Sequence, residues 1–486
     1  MISRTTQSLL GAVGVLALAV GIAEVHPPTG QAAVSGTTVS TSVQNSDLVC
    51  PPTLQGVGGA TTYSFAVPGP LSGTAASGSA SLTGLPGTAG GAALATQTTA
   101  GGSTTAHAGS AAQALVATAS GGTAPGFTVQ QTTTAADHAI SGTGCTAPGT
   151  DFWFSGADSD KGSSDYIELT NAEDSEADAE VQIFNSSGEV EGPSAASISV
   201  AADSTTSVLL STLLGPGNEN TFLAVHVTVH TGRVAAALHA DSGSKGADWL
   251  PATVLGTSQV IPGLPGDITD ATLVLDDPGS ADADLNIQLA TQNGWIVPAG
   301  HETVQVKAGM ATSVDLGSLD LHNQPVALRL TPADRTQPSA PIVAGLQVVR
   351  SSGGSTDVGY LAGTAPIGQR ATAAGNTAGE STLMLTAAAG AATVTVNSIG
   401  SSGTPVSQTV QIPAGSTVPV PLKAPSGSSG DAAFAVTVVP VSGGPVYAAR
   451  MIGSTSGPGF TVQELPDDHS TVEIPRAVED GSILMP

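Results

Sequence analysis

Histidines, carboxylates and cysteines are the side chains of this chain that could do chemistry. His226 and His230 lie in Ala224-Val225-His226-Val227-Thr228-Val229-His230, an alternating run that puts both rings on one face of a strand. At about 3.3 Å per residue they stand about 13 Å apart, too far to share a metal ion, so they read as solvent-facing strand positions. Carboxylates cluster twice. Asp158, Asp160 and Asp165 surround Gly162, with Glu173, Asp174, Glu176 and Asp178 after them, and Asp276, Asp277, Asp282 and Asp284 hold the matching place farther on. Oxygen-rich loops can bind calcium, but this spacing is not that of a helix-loop-helix site, and the third equivalent, Thr386 to Ala392, has no acid. No metal ligands and no cofactor are assigned.

Catalytic residues are not assigned either. Gly-x-Ser-x-Gly, His-Glu-x-x-His and Gly-x-x-x-x-Gly-Lys are all absent. Three Trp in 486 residues are few for the aromatic-lined cleft of a glycosidase carboxylate pair. Leu250-Pro251-Ala252-Thr253 has the look of a sorting signal but is internal and is followed by Val254.

Strands must position these groups. Val306 to Val314 sets two β-branched runs about a small-residue turn, the pattern of a tight β-hairpin. The pattern recurs at 200–208 and 412–420, so that Asp203, Gly309 and Gly415 share one turn position, spaced by 106 residues, where a left-handed conformation is tolerated. Around it the same strand order repeats: Tyr166-Ile167-Glu168-Leu169, Thr272-Leu273-Val274-Leu275 and Thr382-Leu383-Met384-Leu385 before it, and Arg233 to Leu238, Pro341 to Leu346 and Pro445 to Ala448 after it. Each repeat closes on an aromatic, Trp249, Tyr360 or Phe460, with Phe127 as an N-terminal counterpart. These rings read as caps on cores poor in large side chains.

Seven or eight strands in about 105 residues, without a helical period, predict an all-β protein of tandem Ig-like β-sandwich modules. Eight strands would also make two four-stranded blades, so a β-propeller is the alternative. The expected divisions are a signal peptide or N-terminal anchor at 1–32, a diverged module at 33–150, module one at 151–258, module two at 259–368, and module three at 369–486 with a C-terminal strand. That strand, in the tail that runs from Ser470-Thr471-Val472-Glu473-Ile474-Pro475 to Pro486, is expected to add to the last sandwich.

Arg4, the apolar run Leu9 to Ala23 and the polar residues after it have the layout of an export signal. Fifteen residues at about 1.5 Å each span about 22 Å, short of the ~30 Å hydrocarbon core, which favours cleavage over anchoring. An exported pair of cysteines is normally oxidised, so Cys50 and Cys145 are expected to form a disulfide stapling the N-terminal module. Closing a loop of about 95 residues is worth ~4 to 5 kcal/mol on the chain-entropy model.

The formal net charge is −26, from 38 acids against 12 bases, and such a surface repels nucleic acid and anionic membranes alike. Hydrophobic residues reach 40%, enough to fold despite the abundance of Gly, Ser and Thr.

At Phe152-Trp153-Phe154-Ser155-Gly156, followed by Asp165-Tyr166-Ile167-Glu168-Leu169-Thr170-Asn171, the chain resembles an uncharacterised family of actinobacterial secreted proteins. That family carries a domain of unknown function in tandem β modules that open on a Trp-x-Phe-Ala-Glu-Gly type strand. Ile412-Pro413-Ala414-Gly415, Pro341-Ile342-Val343-Ala344 and Pro445-Val446-Tyr447-Ala448 extend the likeness over about residues 45–475. Ser155-Gly156-Ala157 and Asn171-Ala172 depart from its Ala-Glu-Gly and Asn-Pro. The resemblance implies a secreted or cell-surface place and carries over no catalytic residue.

The expectation is a non-catalytic exported protein of the cell envelope, a scaffold or binding surface. Its partner would be an envelope glycan or another envelope protein, with a membrane met only through an uncleaved N-terminal segment. The alternatives are an extracellular carbohydrate-active hydrolase and a glycan-binding propeller.

Overall fold

The computed structural model describes residues 38–53, 59–73, 77–85, 92–107, 113–135, 139–190, 197–215, 220–428 and 432–475. The expected export segment lies outside them. Strands dominate the described residues because their side chains alternate between buried and half-exposed positions, as along Ala177–Asn185 and Ala392–Gly400.

After β1 (Thr38–Ser42), the N-terminal module contains β2 (Asn45–Cys50), β3 (Gly59–Val67), β4 (Gly78–Gly84), β5 (Ala95–Gln97), β6 (Gly102–His107), β7 (Leu115–Gly121), β8 (Thr128–Ala135) and β9 (Ile140–Gly144). They form two antiparallel sheets, β2-β7-β4-β5 and β6-β3-β8-β9. Module one contains β10 (Asp151–Ala157), β11 (Tyr166–Asn171), β12 (Ala177–Asn185), β13 (Gly188–Glu189), β14 (Ile198–Val200), β15 (Ser204–Leu209), the short helix α1 (Leu210–Leu214), β16 (Leu223–Thr231), β17 (Ala235–Asp241) and β18 (Ala247–Leu250). Its sheets are β10-β16-β12-β13, with β14 also on β12, and β15-β11-β17-β18.

Module two repeats the order with β19 (Gln259–Leu264), β20 (Asp270–Asp276), β21 (Ala283–Thr291), β22 (Gly294–Ile296), β23 (Thr303–Val306), β24 (Ala311–Asp315), β25 (Val326–Pro332), β26 (Val343–Ser352) and β27 (Ser355–Ala362). Module three has β28 (Ala371–Asn376), β29 (Ser381–Ala387), β30 (Ala392–Gly400), β31 (Val406–Ile412), β32 (Ser416–Pro421), β33 (Phe434–Gly443), β34 (Val446–Gly453) and β35 (Phe460–Glu464). Their sheets are β19-β25-β21-β22 with β23 on β21, β24-β20-β26-β27, β28-β33-β30-β31 and β32-β29-β34-β35. All four modules are thus β-sandwiches with one strand order. Each of their sheets holds one pair of consecutive strands and otherwise neighbours distant in sequence, whereas the four strands of a propeller blade follow one another throughout.

The expected hairpins are arches. β14 pairs with β12 but β15 with β11, so the chain turns at Asp203 from one sheet of the sandwich into the other. Gly309 does the same between β23 and β24, and Gly415 between β31 and β32. The turn positions hold, with φ of 51° at Asp203, 70° at Gly309 and 71° at Gly415. Alternation marks each flanking run as a strand and says nothing about which sheet it joins. The tail strand also differs from expectation: β36 (Thr471–Pro475) pairs with β1 in a two-stranded sheet of their own.

The cores of modules one to three are built from Val, Leu, Ile and Ala with few rings, while the N-terminal core adds Tyr63, Phe65 and Phe127 to Val, Leu and Ala. Burying one of the larger aliphatics is worth about 1.5–3 kcal/mol. All four closing aromatics are buried. Tyr360, although on β27 of module two, packs in the core of module one, and Phe460 of module three packs in that of module two. Each of these two rings therefore caps the preceding module.

Sheets also pack face to face across modules. β10 lies on β20 and β26, β19 on β29 and β34, and β28 on β3 and β8. Small apolar clusters fill these junctions: Trp153, Phe184, Ala224, Ala311 and Val343; Val260, Ala290, Ala327 and Ala388; and Ala66, Ala374, Ile399 and Ala435. The closing strands meet in a cycle, β9 with β18, β18 with β27, β27 with β35 and β35 with β9.

Candidate functional site

His226 and His230 share a strand but take separate partners. The His226 ring stacks on Trp153 with centroids 3.9 Å apart, and its nitrogens lie 3.2 Å from Gln182 Oε1 and 3.2 Å from Asp151 Oδ2. His230 Nε2 is 2.9 Å from Glu180 Oε2. The acidic clusters mainly organise loops. Asp158 Oδ1 accepts from Asp160 N at 2.9 Å, Asp160 Oδ1 from Gly162 N at 2.7 Å, and Asp165 from Asp158 N and Asp241 N. Glu173 pairs with Arg233, and Asp282 with Lys307. Among the described residues, no three His, Cys, Asp or Glu side chains converge on a metal-sized site.

Cys50 and Cys145 are disulfide-bonded, joining the end of β2 to the residue after β9 and so tying together the two sheets of the N-terminal module.

Two strongly perturbed carboxyls, Asp248 and Glu464, lie where the closing strands meet. A closing strand is a sheet edge, and edge N–H groups buried against other strands need acceptors. Asp248 supplies one, its Oδ1 accepting from Gly142 N of β9 at 2.8 Å and from Trp249 N at 2.8 Å. Asp357 Oδ2 accepts from Phe460 N at 2.9 Å and Ile140 N at 3.5 Å, bridging modules two, three and the N-terminal one. Glu464 Oε1 accepts from Ala362 N at 2.7 Å. Burial drives the Asp248 pKa well above the carboxylate range, opposed by the amides of Gly142 and Trp249, and pushes Glu464 up to about 8.

A second polar set joins module three to the N-terminal module. Arg370 Nε meets Asp468 Oδ2 at 2.5 Å in a buried pair, while its Nη atoms donate to Gly69 O at 2.9 Å and Pro125 O at 3.1 Å. Gln130 Oε1 accepts from Ala374 N at 2.7 Å. Arg450 is wholly buried and bonds only neutral partners, Ala374 O, Asn376 Oδ1 and Gln463 Oε1, and burial pushes its pKa down to about 9.

Two cavities stand out. One of about 30 Å³, room for about one water, lies where the N-terminal module meets module one, among Val49, Thr143, Ala235, Trp249 and Pro251. The other is an open groove of about 440 Å³ lined by Gln97, Thr99, Ser103, Thr104, Gly400 and Ser401. Neither has a titratable side chain in its wall.

The stapling carboxyls and Arg450 were missed in the sequence, although the repeat register could have exposed Arg450. It lies opposite Leu383 as Leu238 lies opposite Ile167 and Leu346 opposite Leu273, a charge where two sister modules place leucine.

A model of a family of unknown function, DUF5719, matches residues 100–423. No curated protein matches the chain. Among solved structures, a tetra-tandem repeat from the extending region of a large adhesion protein is similar at 11% identity, covering 83% of this chain and 92% of that one. Its TM-score of 0.11 is too low to carry an argument.

Proposed function

The chain belongs to the family of unknown function DUF5719, and from that premise we propose that it is a non-catalytic exported protein of the cell envelope, serving as scaffold or binding surface. The observation that best supports this reading is how the carboxyls between its modules are spent. Asp248, Asp357 and Glu464 accept backbone amides from other modules, as joints would. A glycosidase pair instead faces a cleft, with its two carboxyls about 5–10 Å apart across room for a sugar. The disulfide fits an oxidising compartment, and the run Leu9 to Ala23 fits export.

The open groove offers hydroxyls and amides, the chemistry that meets an uncharged glycan or a polar protein surface. The test is sedimentation of the exported protein with purified cell-wall polysaccharide, with released reducing ends measured in parallel. Retention without new reducing ends supports the binding role, and no retention leaves the scaffold alone. Sugar release that disappears in Asp248→Asn or Asp357→Asn would replace the proposal with a hydrolase.

A further inference from the structure

Asp276 ends β20 with its side chain wholly buried and neither carboxyl oxygen hydrogen-bonded. Across the sheet it faces Ala311 on β24 and Val343 on β26. Side chains directly opposite one another in an antiparallel sheet share a face. That face is the junction with module one, where Ala311 and Val343 pack with Trp153, Phe184 and Ala224.

Modules one and three fill the equivalent place with a hydroxyl pair. Thr170 bonds Thr205 at 2.9 Å and Thr386 bonds Thr417 at 2.8 Å. Each second partner sits two residues after the left-handed turn, as Ala311 does after Gly309. Module two thus keeps the geometry and replaces a satisfied pair with a lone acid against a methyl group. An ionised carboxylate there would be a buried charge without a partner, which is expensive.

We propose that Asp276 is a proton-binding site built into the junction between modules one and two, neutral while the junction is closed and ionised when it opens. Burial, reinforced by the charge of Asp277, raises its pKa from 3.8 to about 7. The other titratable groups on the strands packed about it are Asp270 on β20, Asp315 on β24, Arg350 on β26, Asp151 on β10, Asp178 and Glu180 on β12, and His226 and His230 on β16. A carboxyl raised in this way binds more protons closed than open. Closure is therefore strongest below the ordinary value near 4, weakens as pH rises, and stops weakening above about 7. Between those limits the opening equilibrium should rise about tenfold per pH unit.

Ala224→Cys places a reporter thiol in this junction, and the described chain has no other free cysteine. Its labelling rate, divided by that of a free thiol at the same pH, measures opening. The expected result is a steep rise from pH 4.5 that levels near pH 7, and a slope lower by about tenfold per unit when Asp276→Thr and Ala311→Thr restore the sister modules' pair. Equal slopes in the two proteins, or a flat profile in the reporter protein, would overturn the proposal. Should the double variant fail to fold, Asp276→Asn, uncharged at every pH, makes the same comparison.

Discussion

Two junctions of the same geometry are built from different chemistry. Between modules one and two, neighbours in sequence, the filling is mainly apolar, Trp153, Phe184, Ala224, Ala311 and Val343, with the buried Asp276 and a bond from Ser155 Oγ to Val274 O as its polar members. Between module three and the N-terminal module, whose touching residues are some 240 to 300 positions apart, three alanines and Ile399 are supplemented by Arg370, Asp468, Gln130 and Ser103. A short linker keeps neighbouring modules at high effective concentration, so they need no charged pair to seat them. A long loop carries a larger closure entropy, and directional bonds both offset it and fix the register.

Removing the charged anchor breaks that comparison most directly. Arg370→Met leaves Asp468 buried and unpaired and is expected to cost about 3–5 kcal/mol in urea unfolding. A loss below about 1 kcal/mol would mean the polar set adds nothing to the apolar contact. On the other side, a Cβ at Gly345 would come 1.8 Å from Ser155 O, so Gly345→Ala should wedge β26 from β10 and cost about 1–3 kcal/mol or more. An unchanged unfolding midpoint would show that the neighbouring junction is slack. The comparison is sharpened by Ser103→Ala, whose bond to Ile399 O is long at 3.4 Å; its cost is expected to be about 0.5–1 kcal/mol, read as a small midpoint shift at constant slope.

The strands and their left-handed turns were legible because both are local. Alternation along Ala177–Asn185 needs only its own side chains, and Gly309 or Gly415 announces its backbone directly. What each strand faces was not legible. Val200 and Ser204 look like two sides of a hairpin yet join different sheets, and Tyr360 and Phe460 were read as caps without a sign that the cores they cap belong to the preceding module. The same limit hid the stapling acids. Asp248 and Asp357 are lone carboxylates within strands, and the approach of β9 and β35 supplies the amides of other modules from which they accept. Clustered acids drew attention, and most of them tie down loops.

The strand order also sets a timetable. β10 has no partner until β16 exists, since Asp151 is bonded opposite Thr228, and β11 must await both β15 and β17. Each module sheet has only one pairing of consecutive strands and needs distant ones to complete it, so folding belongs in the millisecond-to-second range of topologies rich in distant pairings. A polypeptide fed lengthwise through a narrow conduit would stay pliable until most of a module had emerged, and would then rigidify in one step.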